Sequence, residues 1–257
     1  MIPVELNGNN FSRLLHKGKA TTMSEGNQLT AFSGIPFSPA ALAKPKREDK
    51  GYAPRLQLVS TGSSGLVEKG VSVGNYGLVD GDNVSDLGDS LTIIPLVRLD
   101  KAVDFSDSEE VVSAFGEDNP EYQRIKGEVD ENGYDSGCMY GPLFLAFLVE
   151  TCQFVELFLN NKSGRNVADD FNPFLPIGKE VAESLNVEPR APQPVQLTSV
   201  LLPRKPSKKT RHKWHAIEVA AHEGPLNVAE PPSQEALQKA CDNFVKQSIV
   251  EDEDRDR

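Results

Sequence analysis

Between Arg204 and Lys213 the sequence places six basic side chains, Arg204, Lys205, Lys208, Lys209, Arg211 and Lys213, with no acidic residue among them. In a chain of 257 residues whose 27 Lys and Arg are outnumbered by 38 Asp and Glu, for a formal net charge of −11, this run is the sharpest electrostatic feature. A phosphate backbone is its natural partner, because each phosphate neutralised releases condensed counterions and makes binding favourable and salt-dependent. A solvated hairpin tip or a basic targeting run has the same composition, so the neighbours matter. Trp214, the one tryptophan of the chain, follows directly, and Phe144, Phe147, Phe154 and Phe158 lie on strands expected nearby. Aromatic rings beside a basic groove can stack on unpaired bases, a contact worth ~1–3 kcal/mol per base that does not depend on sequence. Most of the phenylalanines are still expected in the core. Lys162 and Arg165, flanking Ser163 and Gly164, form a second small basic turn that could meet phosphate through side chains and backbone N–H groups, although an ordinary hairpin turn looks the same.

Other chemistries find little support. The sequence has no phosphate-cradling GxxxxGK[ST], no HExxH, no GxSxG and no Gly-x-Gly-x-x-Gly after a strand. Asp169-Asp170 and Glu109-Glu110 could in principle hold Mg²⁺, and a small metal-dependent nuclease using Asp169, Asp170 or the acids of 100–135 is the enzymatic alternative. Adjacent helical residues face different directions, however, and surplus acids on an acidic chain are usually surface, so no enzyme and no catalytic residue is expected. Cys138, Cys152 and Cys241 are odd in number and contain no CxxC, and only four histidines accompany them. No metal site or cofactor is therefore expected, and a reducing, cytoplasmic setting fits best, that of the host cell if the protein is viral. The longest apolar run, Leu143 to Val149, is far shorter than the ~18–20 residues of a membrane helix.

These residues need elements to hold them. Residues 1–51 read as a flexible arm, with apolar residues in no sustained period; through Arg55 the chain has eight basic side chains against four acidic ones. From Tyr52 short apolar runs alternate with Gly and Asp/Asn turns, the punctuation of a β protein. Strands are expected at Arg55-Leu-Gln-Leu-Val-Ser, briefly around Val71 to Val73, and at Leu91 to Leu99, where Pro95 demands an edge or a bulge. Between Asp100 and Asp135 twelve acidic and three basic residues suggest a solvated excursion with a short helix over Asn119 to Lys126. Leu143 to Val149 and Phe154 to Leu159 read as a central hairpin, and a helix is possible over Arg165 to Leu175. Pro194 to Leu202 and Lys213 to Ala220 form a last hairpin whose loop is the basic run. From Ser233, Ala236, Leu237, Ala240, Phe244 and Val245 recur at helical spacing, leading into the acidic end Glu251, Asp252, Glu253 and Asp254.

The expected class is mainly β: an OB-fold-like five-stranded Greek-key barrel over residues 52–224, with a helical insert, followed over 225–257 by a C-terminal helix and acidic tail. That layout, with Gly137-Cys-Met-Tyr-Gly-Pro-Leu-Phe-Leu, the Phe158-Leu-Asn-Asn-Lys-Ser-Gly-Arg turn, the Lys213-Trp-His strand entry and the Glu251-Asp-Glu-Asp end, resembles the single-stranded DNA-binding proteins of tailed bacteriophages. The resemblance covers roughly residues 52 to 222 plus the tail; the basic arm and the acidic insert depart from it. It implies a non-catalytic protein, which could self-associate, that coats and protects single-stranded DNA during replication or recombination. Lys162, Arg165, Arg204, Lys205, Lys208, Lys209, Arg211 and Lys213 would hold phosphates. Trp214, with Phe158 and Tyr140, would stack on bases. Glu251, Asp252, Glu253 and Asp254 would recruit replication or recombination proteins. The competing expectation is a structural or scaffolding protein of a viral assembly, its arm wrapping a neighbour.

Overall fold

The computed structural model describes residues 53–107, 111–202, 214–226 and 228–253. The arm expected over 1–51, the basic run 204–213 and Asp254 lie outside the described residues.

The hub is a long antiparallel pair, β4 (Ser90–Asp104) with β6 (Cys138–Leu148). Both strands are rich in branched and aromatic residues, and β6 obeys strict period-two alternation with both faces apolar. Phe144, Ala146 and Leu148 point into one core, while Leu143, Leu145 and Phe147 point into another on the opposite face. A strand buried on both sides must be covered on both sides.

The first cover is the sheet itself. β1 (Arg55–Leu58), β2 (Tyr76–Asp80), β3 (Asn83–Asp86), β7 (Gln153–Phe158), β8 (Val195–Leu202) and β9 (Trp214–Ala221) extend it in the order β3-β2-β1-β7-β6-β4-β8-β9. Leu56, Tyr76, Ile93, Val155, Leu197 and Ile217, from six different strands, all reach the core that contains Phe144, so the sheet curls around one interior. Phe171, from the 3-10 turn Ala168–Phe174, enters this interior and packs on Phe144 with ring centroids 4.6 Å apart. On the outer face the C-terminal helix, residues Gln234–Glu253, lays Leu237, Cys241 and Phe244 on Leu143, Leu145 and Phe147. Burial pushes the Cys241 thiol up to about 12.

Short helices Ser64–Glu68 (α1), Pro120–Asn132 (α2), Lys162–Val167 (α3) and Lys179–Leu185 (α4) precede that C-terminal helix, α5. α2 starts as its sequence dictates: the Asn119 side chain accepts from Glu121 N at 2.9 Å and Pro120 occupies the first turn. Together with β5 (Val112–Phe115), which pairs with the far half of β4, α2 corrects the expectation of a solvated excursion. Tyr122, Ile125 and Val129 are buried against Ala102, Ala114 and Cys138 in a third core. The acids lie on the opposite flank of a helix whose apolar residues recur at i, i+3 and i+7.

The mainly-β class holds, with further differences from the expected barrel. Nine strands replace five, and among the described residues no ladder joins β3 to β9. Pro95 does sit at a bulge, between Pro95 and Val97, but in an interior strand; β8 pairs only with Ser90–Ile93, so its missing N–H falls where β4 has lost that neighbour. Val71 to Val73 is not a strand: Gly70 and Gly74, at φ +95° and +94°, turn the chain at either end. Lys162 to Arg165 begins α3, capped by the Asn161 side chain, rather than forming a hairpin turn.

Asp104 ties β4 to α2. It is 8% exposed and accepts from Ser106 N at 2.9 Å, Ser106 Oγ at 2.6 Å and Arg124 Nη2 at 2.6 Å. Burial opposes its ionisation, but these donors outweigh burial and hold the carboxyl well below the usual carboxylate range. Its stabilisation is therefore complete above the unfolded pKa of about 3.9 and is lost as pH falls towards the folded value. Asp104→Asn should cost about 1–2 kcal/mol at neutral pH, a modest figure because Arg124 is half exposed. Thermal melts should show the gap between variant and wild type narrowing as pH falls below ~4; a gap constant between neutral pH and pH ~3 contradicts the assignment.

Candidate nucleic-acid interface

The β8–β9 hairpin is packed at one end and bare at the other. Val195 and Leu197 are buried at the start of β8, and Ala216 and Ile217 in β9. β4 pairs with β8 as far as Thr198 and Ser199 N still donates to Asp89 O at 2.7 Å, so residues 200–202 have a strand neighbour on one side alone, β9. The pair thus leaves the sheet as a two-stranded ribbon. At its end Leu202 stands directly opposite Trp214, and Leu201, Leu202 and Trp214 are 49%, 38% and 37% exposed. The basic run bridges these two strand ends in the sequence. Three exposed apolar side chains on a ribbon tip are more than a folding core requires.

The ribbon is held, one residue from Trp214, by contacts that no periodicity announces. Ser199 Oγ and His215 Nδ1 are 3.0 Å apart, and the His215 ring lies so close over Gly74 that a Cβ there would stand 2.3 Å from its Cε1. Gly74 N also donates to Val59 O at 2.8 Å, so the loop before β2 is fixed beside the last strand of the sheet. α3 packs against β9 as well. β9, the last strand of the sheet, is therefore fastened to the loop before β2 and to α3 rather than to another strand on that side.

α3 places the second basic element. Asn161 Oδ1 accepts from Gly164 N at 2.6 Å and Ser163 Oγ at 2.9 Å, and Gly164 is buried against Leu159, leaving little room for a side chain. Lys162 is exposed on the helix that touches β9. Arg165 is committed elsewhere: its Nη1 donates to Asn160 O at 2.6 Å and to Tyr140 O at 3.3 Å, and its guanidinium lies 4.1 Å from the centroid of the Tyr140 ring. Tyr140 in turn donates to Asp130 Oδ1 at 2.8 Å and meets the Tyr122 ring edge-on at 6.2 Å. Arg165 and Tyr140 thus join α3, β6 and α2, with one face of the tyrosine already covered by a cation.

Of the sequence-predicted residues, Trp214 lies on β9 and Lys162 on α3, the helix that packs against that strand. Phe158 is half-buried in the core beneath α5, apart from the exposed tip. Asp169 pairs with Arg98 at 3.1 Å beside Asn172, and Asp170 is exposed next to it. Among the described residues no group of three or more His, Cys, Asp or Glu is arranged to hold a metal ion, and no helix is long and apolar enough to cross a membrane. Glu251, Asp252 and Glu253 continue α5 as helix. No family model matches the chain, and neither a curated protein nor a solved structure is similar to it.

Sequence reasoning missed the Gly74–His215 contact, since Val-Gly-Asn signals a turn and not what packs on it. Gly74→Ala should destabilise by at least ~1–2 kcal/mol, from an alanine forced to positive φ and from displacement of the ring. In a chain of this size that is a fall of about 3–8 °C in Tm, accompanied by a shift in the emission of the adjacent Trp214. Adding His215→Ala to Gly74→Ala should recover the steric part, whereas strictly additive losses would mean the contact is not made.

Proposed function

We propose that this protein binds single-stranded DNA, coating and protecting exposed strands during replication or recombination, with the end of the β8–β9 ribbon as its primary contact. The observation that carries the reading is the exposed Trp214–Leu202 pair, between which the sequence places six basic residues and no acid. The cationic side chains hold phosphates and set the register of the strand, while the indole offers a sequence-tolerant stacking surface. Lys162, on the helix beside β9, extends the positive surface. Stacking is assigned to Trp214 rather than to Tyr140 or Phe158, whose rings already have partners inside the protein. A curled, partly closed sheet with a protruding hairpin is also what an OB-like strand binder uses, and the phage single-stranded DNA-binding proteins that the sequence resembles belong to that kind. The acidic end from Glu251 to Asp254 then competes with DNA for the basic run and, once released, recruits basic surfaces of replication proteins.

Fluorescence anisotropy with a labelled strand of about 30 nucleotides tests this, single and in duplex form. Single strands should bind more tightly, and six neutralised phosphates imply a loss of about 10²–10³-fold between 50 and 200 mM salt. Trp214→Ala should weaken binding by ~1–3 kcal/mol, about 5- to 150-fold, with an unchanged salt slope. Reversing Lys208, Lys209 and Arg211 together to Glu should abolish binding while leaving the fold intact. Removal of Glu251 to Arg257 should tighten binding. Equal affinity for duplex, or binding that survives the triple reversal, defeats the proposal.

A further inference from the structure

α5 covers the outer face of β4 and β6 with one stripe and leaves a groove along each flank. On one flank, Gln238, Cys241, Asp242 and Val245 face α4 and the segment Leu175–Gly178 across Leu96 and Val97, enclosing an apolar groove of about 300 Å³. Its rim includes Val181 and Leu185, 38% and 63% exposed, with Val187 at 48% just beyond. On the other flank, Ala240, Asn243 and Phe244 line a second groove of about 320 Å³ with Leu145 and Phe154, and its remaining wall includes Ala53 and Pro54. The first described residue thus stands against α5 itself.

We propose that the groove between α4 and α5 is the docking site for a segment of the chain's own N-terminal arm, Phe32-Ser-Gly-Ile-Pro-Phe37. Three observations select this occupant. The first is reach: Phe37 is sixteen residues before Ala53, which can span up to ~50 Å, several times the ~10–12 Å diameter of the helix that separates Ala53 from the groove. The second is chemistry: within the 52 residues that precede Ala53, this is where two phenylalanines and an isoleucine fall within six positions, and Pro36 limits the conformational entropy lost on docking. The third is size. A groove of about 300 Å³ takes only a few apolar side chains, whereas a stable complex between separate molecules engages roughly 20–30 residues a side. A tethered segment has an effective concentration near millimolar and needs only that much contact. Lys44, Lys46, Arg47 and Lys50 lie between the anchor and Ala53, so docking tethers this basic stretch to the body at both ends. The inference is independent of nucleic-acid binding.

The test is disulfide trapping in the full-length chain. Ser38→Cys with Val181→Cys, under mild oxidation, should give a monomer whose peptide map contains the 38–181 bridge, and the singly substituted chains should not give that linked peptide. Adding Phe32→Ser, Ile35→Ser and Phe37→Ser should reduce its yield at least tenfold, because the apolar side chains and not the tether would make the contact. A bridge formed only between two chains assigns the groove to a second copy. That result, absence of any bridge, or a bridge that survives loss of the three apolar residues overturns the proposal.

Discussion

The constraint on which the rest depends is that β6 is apolar on both faces over its last six residues. Phe144, Ala146 and Leu148 alternate with Leu143, Leu145 and Phe147, and all six are essentially inaccessible. At roughly 1.5–3 kcal/mol for each fully buried large side chain, neither face can be left to water. One face is satisfied by curling the sheet until β1, β2, β8 and β9 reach the same interior, the other by laying α5 across the outside. α5 is therefore a structural layer.

Curling creates a second demand, because β9 must be held where no further strand continues the sheet. A continued ladder would do this with backbone hydrogen bonds and would tie up β9 along its length. Here α3, the 3-10 turn that delivers Phe171 and the His215–Gly74 contact do it instead. The His215–Gly74 contact fastens β9 one residue from Trp214, so what stands free of the sheet is the last pair, Leu202 opposite Trp214.

Much of this was legible from one sequence, for definite reasons. The hairpin of β6 and β7, the long β4 with its proline bulge and the capped start of α2 follow from alternation and from Asn119-Pro120, which are local signals. β2 and β3 were missed because Tyr76-Gly-Leu-Val-Asp is short and interrupted by glycine, and Asn83-Val-Ser-Asp has a single apolar residue; these strands are made by pairing, not propensity. The acidic insert misled because charge counts outweighed three apolar residues at helical spacing, enough for a small core. For the site, the basic run and Trp214 were readable as composition. That Tyr140 and Arg165 would satisfy each other was not, since the contact joins residues 25 apart through a fold not yet known.

The sign of the charge sets a limit on how such a tip can work. The body is strongly acidic, with Glu121, Glu128, Asp130 and Glu131 on α2 alone, so phosphates near most of its surface are repelled. At physiological salt that repulsion fades over ~8 Å, about the reach of one or two side chains. In the proposed reading the phosphate contacts therefore depend on a basic run that in the sequence lies between the strand ends Leu202 and Trp214, apart from the acids of α2. Charge alone at such a tip would not tell a paired strand from an unpaired one. The adjacent indole does, because stacking requires a base face that a duplex keeps covered. In the proposed reading the basic run supplies affinity for phosphate, and Trp214 supplies the preference for single strands.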